Sequence, residues 1–427
     1  MTHVLFVTPY YPPEKTPPAI RISGSAKGLF KRGYQVTVLT TFPNFPSGVV
    51  APEYRGKIIT QEVDEGIHVV RVWSYITPNK GFLRRVLAQL SFGCIAPLPG
   101  WKYVGRPDVI IVESPPLFNA IGGRLLAWGK HCPFIFTVAD LWPDAAIELG
   151  VLRNPLFIRL ARLLERSTYQ KARVIWAVTA GIRERLVASG VPAERVFLLT
   201  NGVDTTQFKP MPQAQARAAL GWDDRFTILY AGTHGLAQGL STVLDAAAQL
   251  KWQPNIRFVF AGDGAAKADL VAQAREQELL NVSFIDPVPH ERMPVLLAAA
   301  DVCLVPLRRL PLFEGALPSK MYEVMACERP MLLGVDGEAR RLAEQEARAA
   351  IYVEPENADS LVSAILHLYE HPEIAQALGC NGRAFVMKHF DRQRLVSILE
   401  EHINALSSEQ NVLRATAMPV DVMVRRD

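Results

Sequence analysis

Residues 317–327, Leu-Pro-Ser-Lys-Met-Tyr-Glu-Val-Met-Ala-Cys, gather a hydroxyl, an ammonium and a carboxylate in a segment whose apolar spacing is helical. Ser319 follows Pro318 and is a good helix N-cap. The amides of the next turn would then point outward beside the Lys320 ammonium, forming a site for a diphosphate. Glu323 falls in the first turn, where its carboxylate could accept hydrogen bonds from two adjacent sugar hydroxyls, such as those of a ribose. An ordinary capped helix with a dipole-favoured acid gives the same string, and the segment alone leaves both readings open. Asp140 follows the apolar run 134–138. At the carboxyl end of a strand, where open α/β sheets hold ligands, it could orient or deprotonate an acceptor hydroxyl; before Leu-Trp-Pro it could equally cap a turn.

Other strings carry less. His367-Leu-Tyr-Glu-His371 has metalloprotease spacing, but Pro372 follows at once and the segment reads as the end of a peripheral helix. Gly262-Asp263-Gly264 opens like a dinucleotide fingerprint, yet Lys267 stands at the third glycine position, so a strand-to-helix turn is expected. Five widely spaced cysteines suggest buried thiols, with no disulfide frame or zinc cluster. The apolar, uncharged stretch of residues 86–101 is interrupted by Pro97 and Pro99 and is shorter than a spanning helix.

The elements that must position these groups follow from the apolar pattern. Strand-length runs at 4–8, 35–40, 69–72, 109–112, 134–138 and 174–178 alternate with amphipathic segments, and the pattern restarts at 227–230, 257–261, 282–285 and 302–305. That is the signature of parallel sheets with crossover helices, met twice. At 427 residues the chain is also too long for one core. The expected division is a first domain over 1–200, a linker over 201–213 containing Pro210 and Pro212, and a second domain over 214–390. Residues 391–427 would give a C-terminal helix open to packing back on the first domain, then a loose tail from 407. The net charge of +4 conceals a split: residues 1–200 carry +11 and residues 201–427 carry −7. The first half should attract an anionic surface or acceptor, whereas coating by nucleic acid is not indicated. The basic stretch 80–87 leading into 86–101, and the spacing of Arg159, Arg162 and Arg166, are suited to a membrane surface; solvated charge opposite a core stripe is the alternative.

Several motifs in order resemble the retaining glycosyltransferases of family 4, which have the GT-B fold. They are Pro9-Tyr-Tyr-Pro-Pro-Glu14 with Arg21, Gly33-Tyr-Gln-Val-Thr-Val-Leu-Thr40, Pro43-Asn-Phe-Pro46, Asp140-Leu-Trp-Pro-Asp144, Asn201-Gly-Val-Asp204 and Glu323 to Pro330. Within that family the chain is most similar to the branch adding aminosugars such as fucosamine in O-antigen and capsule assembly. The resemblance implies two facing Rossmann-like α/β domains with a central cleft, the acceptor on the first and a nucleotide-sugar on the second. It implies Glu323 on the donor ribose; Ser319, Lys320, Gly235, Gln238 and His234 around the diphosphate; and Glu314 as a candidate for the sugar. Arg21, Glu14 and Asp140 would face the acceptor, with Asp140 and Glu314 as the catalytic candidates. Retention of configuration, no metal or other cofactor, a polyprenyl-diphosphate-linked acceptor and a cytoplasmic, peripheral-membrane location come with it.

The chain also departs from the family pattern. The first Glu of the E-x7-E signature falls at Gly315, with Glu314 one residue early. The Arg and Lys that flank the donor phosphates are absent from Gly232-Thr-His-Gly-Leu-Ala-Gln-Gly239, which should move phosphate charge onto Lys320, with Arg308 or Arg309 as further candidates. Pro17-Pro18 replaces a Gly-Gly, and Ala139 replaces a His. A nucleotide-sugar epimerase and a non-catalytic sugar- or nucleotide-binding regulator remain alternatives.

Overall fold

A computed structural model describes residues 1–416 apart from 15, 45–47, 78–81 and 149–151. The chain divides into two compact units, residues 1–201 with 392–427, and residues 202–391. The first contains strands β1 (His3–Val7), β2 (Gln35–Thr41), β3 (Ile59–Asp64), β4 (Ile67–Val72), β5 (Val109–Ser114), β6 (Phe134–Val138), β7 (Val174–Ala177) and β8 (Val196–Leu198). They form one sheet in the order β3-β4-β2-β1-β5-β6-β7-β8, parallel throughout except that β3 runs antiparallel to β4. The helices of this unit are α1 (Pro17–Lys31), α2 (Phe82–Ile95), α3 (Pro97–Tyr103), α4 (Asn119–Lys130), α5 (Asp144–Glu148), α6 (Pro155–Lys171) and α7 (Ala180–Ala188).

Both faces of this sheet are covered, which is why the central strands β1, β5 and β6 are buried at every position rather than at alternate ones. Val4 and Phe6 of β1 join Ile22 and Leu29 of α1 in one core, whereas Leu5 and Val7 join Phe92 of α2 and Leu126 of α4 in the other. The period of two along β1 thus sorts its residues between two layers of helix. Thr16 caps α1 by accepting from Ala19 N at 3.3 Å, and Pro17 sits at the first helical position. There a missing amide removes nothing from the helix, which explains how Pro17-Pro18 is accommodated.

The second unit contains α8 (Gln213–Leu220), β9 (Phe226–Ala231), α9 (Leu240–Gln249), β10 (Ile256–Ala261), α10 (Lys267–Glu276), β11 (Val282–Ile285), α11 (Met293–Ala299) and β12 (Val302–Pro306). It continues through α12 (Lys320–Ala326), β13 (Met331–Gly334), α13 (Glu338–Arg340), β14 (Ala350–Tyr352), α14 (Ala358–Glu370) and α15 (Pro372–His389). Its sheet is entirely parallel, in the order β11-β10-β9-β12-β13-β14. The last helix of the described chain, α16 (Arg392–Thr416), belongs to the first unit, where Leu395, Leu399 and Ile403 enter the same core as α1.

Among the described residues no helix is long and apolar enough to cross a membrane; Lys80 and Gly81 lie outside the described residues. Two expectations are corrected. Residues 202–213 are no free linker: Val203 N donates to Phe390 O at 3.0 Å, Phe208 is buried in the second core, and Arg383 donates to Phe208 O at 2.8 Å. The loose tail expected from 407 is helical to 416, because Ser407 is buried and Arg173 pairs with Glu409 at 2.7 Å; residues 417–427 lie outside the described residues. Strands β3, β8, β13 and β14 were not anticipated. The first is a half-exposed edge strand with polar residues, and the others are only three or four residues long, too short to show a period.

Candidate active site

In each sheet the strand order reverses once, between β1 and β5 in the first unit and between β9 and β12 in the second. The carboxyl ends of the strands flanking such a reversal leave a crevice, the usual ligand position of an open α/β sheet. In the second unit that position is built from the turn after β9, the turn after β10 and the start of α12. Gly262 has φ +143°, and a Cβ there would stand 1.9 Å from Gly232 O, so the two turns can touch only because that side chain is absent. Gly232 N donates to Ala261 O at 2.9 Å and His234 N to Asp263 O at 2.8 Å, which locks the two turns together.

Lys320 reaches into this corner from α12. Its ammonium lies 4.1 Å from the centre of the Tyr230 ring, and a Cβ on Gly232 would stand 2.8 Å from it. Tyr230 is buried, and its hydroxyl donates to Thr233 O at 2.6 Å, so the ring is held in place beneath the charge. Among the described residues Lys320 has no ion-pair partner. Burial lowers its pKa to about 8, only partly opposed by the charge of Glu323. A cation in this state gains from any anion brought to it.

Glu323 stands one helical turn on, and its Oε1 lies 3.4 Å from His290 Nε2. The Gln207 amide nitrogen approaches His290 Nδ1 at 3.3 Å, and Phe208 packs edge-on against the ring at 5.1 Å. Both contacts are satisfied when Nδ1 accepts from the Gln207 amide and Nε2 donates to Glu323. Tyr230 and His290 were not singled out from the sequence. A lone tyrosine at a strand end and a histidine in a Pro-His-Glu-Arg turn carry no spacing signal.

Other expected residues sit differently. Ser319 has helical backbone angles, φ −58° and ψ −29°, and its side chain makes no capping bond. Ser319 thus stands at the N-cap position just before α12, but its helical backbone does not aim the hydroxyl at the N2 or N3 amide, so the capping bond is absent. The His234 ring is sealed from solvent between Tyr230, Phe260 and Phe284, and neither ring nitrogen has a hydrogen-bond partner. Burial lowers its pKa, leaving a neutral aromatic plug under the turns rather than a side chain facing a donor. Gln238 folds back over Gly235: a Cβ there would be 2.7 Å from Gln238 Oε1.

Glu314 is exposed on the segment after β12. Gly337, at φ +73°, lies tight under it, since a Cβ there would stand 2.1 Å from Glu314 O. The other two candidates for phosphate charge are occupied. Arg308 Nε donates to Glu356 at 3.1 Å, and Arg309 pairs with Glu354 at 2.9 Å. The amide of Arg309 at 2.9 Å, together with Arg308, holds the Glu356 carboxyl below its usual range.

In the first unit Arg21 is buried. It donates to Asn201 Oδ1 at 2.7 Å and forms an ion pair with Glu113 of β5, which is itself buried. Burial pushes the Glu113 carboxyl up, against the pull of Arg21. Glu14 is also buried, and its Oε1 accepts from Asn44 N at 2.8 Å, joining the turns after β1 and β2; Phe45 and Pro46 of that motif lie outside the described residues. Asp140 is exposed on the bend after β6. The carboxyl end of the first sheet thus presents Asp140 outward and turns Arg21 and Glu14 inward. The first of the metalloprotease-spaced histidines ends up beside the last, rings 4.9 Å apart at the end of α14, with Pro372 opening α15.

Two doubly wound parallel sheets in one chain, each with a crevice position at its strand reversal, define the GT-B class of protein. Residues 18–202 match the glycosyl transferase 4-like domain and residues 212–385 match the glycosyl transferases group 1 family. The chain belongs to these family-4-like glycosyltransferases, which sets aside the epimerase reading. It is 28% identical over 412 residues to the putative colanic acid biosynthesis glycosyl transferase WcaI of Escherichia coli (strain K12), covering 92% of this chain and 97% of that protein. The fold is also that of sucrose-phosphate synthase from Thermosynechococcus elongatus, with TM-score 0.73, 19% identity and coverage of 96% and 100%. A structure of Anabaena Alr3699/HepE in complex with UDP-glucose superposes with TM-score 0.69 at 16% identity, covering 95% of this chain and 100% of that one.

Proposed function

We propose that this protein transfers a sugar, with retention of configuration, from a nucleotide-sugar to a polyprenyl-diphosphate-linked saccharide in cell-surface polysaccharide assembly. The observation that carries the donor half is the Lys320 ammonium, half-buried over Tyr230 and, among the described residues, without an ion-pair partner at the strand reversal of the second sheet, with Glu323 one turn away. In this reading Lys320 and the turn from Gly232 to Gly235 take the diphosphate, Glu323 takes the ribose hydroxyls, and Glu314 faces the sugar. As the glycosidic bond to the donor breaks, negative charge develops on the leaving diphosphate, and a fixed cation beside it stabilises that change more than it stabilises the intact donor. Asp140 orients the acceptor hydroxyl, whose proton passes to the leaving diphosphate. No metal is assigned to these steps, so a chelator should leave the rate unchanged.

The name of the Escherichia coli relative supports the polysaccharide assignment, and the UDP-glucose complex of the Anabaena protein supports a nucleotide-sugar donor. The test is mass spectrometry of purified protein incubated with a panel of nucleotide-sugars and a polyprenyl-diphosphate-saccharide extract. The expected result is one acceptor species heavier by one sugar residue. A nucleotide-sugar epimerised with no acceptor gain, or a nucleotide bound without any turnover, would overturn the proposal.

A further inference from the structure

The amino ends of the second sheet lie opposite the Lys320 corner, because every strand of that sheet runs the same way. There the residues at the starts of β9, β10, β12 and β13 line a cavity of about 1070 Å³. Phe226 N donates to Asn255 O at 2.7 Å, Thr227 N to Asp301 Oδ2 at 2.6 Å and Cys303 N to Pro330 O at 3.0 Å, so the pairing of the strands fixes this floor. Met211 and Pro212, ahead of α8, form one wall, and Tyr369 and Pro372, where α14 gives way to α15, form another. Phe226 and Tyr369 meet edge-on with ring centroids 5.4 Å apart. The space is at the upper end of what holds a small organic molecule, and no step of the proposed transfer uses it.

One cation of that lining is left over. Arg329 follows the end of α12, where Arg329 N donates to Val324 O at 3.2 Å and Glu328 N to Met325 O at 3.1 Å, with Glu328 at φ +59°. This is the Schellman ending of a helix, with Glu in the left-handed position that glycine usually takes, and its two bonds fix where the Arg329 side chain leaves the backbone. The guanidinium Nη1 and Nη2 reach Ala300 O at 3.4 Å and Met211 O at 3.5 Å, both long for hydrogen bonds, and Nε is buried without a partner. Among the described residues Arg329 has no ion-pair partner.

The carboxylates of the same cavity are engaged or turned to solvent. Asp301 pairs with Arg217 at 2.5 Å, Asp223 pairs with Arg225 at 2.9 Å, and Glu328 accepts from Cys380 Sγ at 3.1 Å. Asp224 is fully exposed, with Arg217 at 3.8 Å. The unsatisfied group is therefore the Arg329 guanidinium, whose planar fork matches an oxyanion through two bonds. The surrounding carboxylates penalise a second negative charge on the same ligand, which favours a carboxylate over a doubly charged phosphate. Met211 and the Phe226 and Tyr369 rings offer apolar contact to the rest of such a molecule.

We propose that this cavity is a second ligand site, separate from the donor corner, for a small monocarboxylate with an aromatic or apolar body. The carboxylate lies on Arg329 and the body against Tyr369 and Met211.

The test is calorimetry of the full chain with naphthoate, with its neutral isostere naphthamide and with the doubly charged naphthyl phosphate, repeated in saturating nucleoside diphosphate. Naphthoate should bind at least about tenfold more tightly than either analogue and keep its affinity when the nucleoside diphosphate is present. Arg329→Gln should lower naphthoate affinity by at least about tenfold while leaving naphthamide unchanged, with urea unfolding to show that the variant is folded. Should it not fold, Gln376→Glu decides: this exposed side chain of α15 lines the cavity, and a carboxylate there should lower naphthoate affinity about fivefold with Arg329 intact. Wild type that does not bind naphthoate, binds naphthamide equally well or binds naphthyl phosphate more tightly would overturn the proposal. So would displacement of naphthoate by the nucleoside diphosphate, or wild-type affinity in a folded Arg329→Gln or in Gln376→Glu.

Discussion

Each of the two sheets carries a cation at its strand reversal, and the two cations are treated in opposite ways. Arg21 at the β1/β5 position is neutralised inside the protein by Glu113 and held further by Asn201. Lys320 at the β9/β12 position has an aromatic ring beneath it and, among the described residues, no ion-pair partner. The Arg21–Glu113 pair balances its charge inside the protein and joins α1 to β5, although Arg21 Nε and Glu113 Oε2 are buried without a hydrogen-bond partner. The Lys320 ammonium, half-buried over the Tyr230 ring, has no such counter-charge among the described residues, and in the proposed donor site a diphosphate would supply it. The same topological position thus holds an internal ion pair in one unit and a cation without a counter-charge, among the described residues, in the other.

The strongest way to break this contrast is Arg21→Met, which should strand Glu113 in the core and destabilise the protein by roughly 3–5 kcal/mol in urea unfolding. Arg21→Met/Glu113→Met should recover most of that loss. If the single variant is as stable as wild type, the pair is not the strut described here.

The second unit should respond in binding rather than stability. Lys320→Met removes a charge-assisted contact and is expected to weaken nucleoside diphosphate binding by roughly 1.5–3 kcal/mol while leaving the bare nucleoside nearly unaffected, by calorimetry. Glu323→Ala should cost a similar amount for both ligands, because the ribose is common to them. Equal losses of both ligands in Lys320→Met would indicate a general defect instead.

The lowered pKa of Lys320 sharpens the comparison through pH. Free Lys320 loses its proton as pH rises through about 8, whereas the diphosphate-bound form holds it, so binding takes up a proton above that pH. Affinity should be flat between pH 7 and 8 and then fall, by up to about tenfold per pH unit. Lys320→Arg, charged throughout, should flatten the profile. The smallest expected effect is that of His290→Phe. It keeps the ring against Phe208 but removes the bond to Glu323, and should weaken both nucleoside and diphosphate by about 1 kcal/mol. A loss confined to the diphosphate would place His290 elsewhere in the site.

Much of this was legible in the sequence because it is local. The strand runs, the restart of the pattern near residue 227 and the Lys320–Glu323 spacing each depend on residues a few positions apart, and backbone geometry turns those spacings into faces and turns. The short strands β8, β13 and β14 were not legible, since three or four residues hold no period and form only because a longer neighbour is already paired. The sequence by itself thus determined the two parallel sheets and the placing of Lys320 and Glu323 one turn apart at the start of α12. Tertiary structure alone decided which polar residues face outward. Glu113 meets Arg21 across 92 positions, and His290 meets Glu323 across 33. The His234 ring became a plug because three aromatic rings from different strands enclose it. Burial and pairing are properties of neighbours brought together by the fold, and a linear string carries no record of which neighbours those will be.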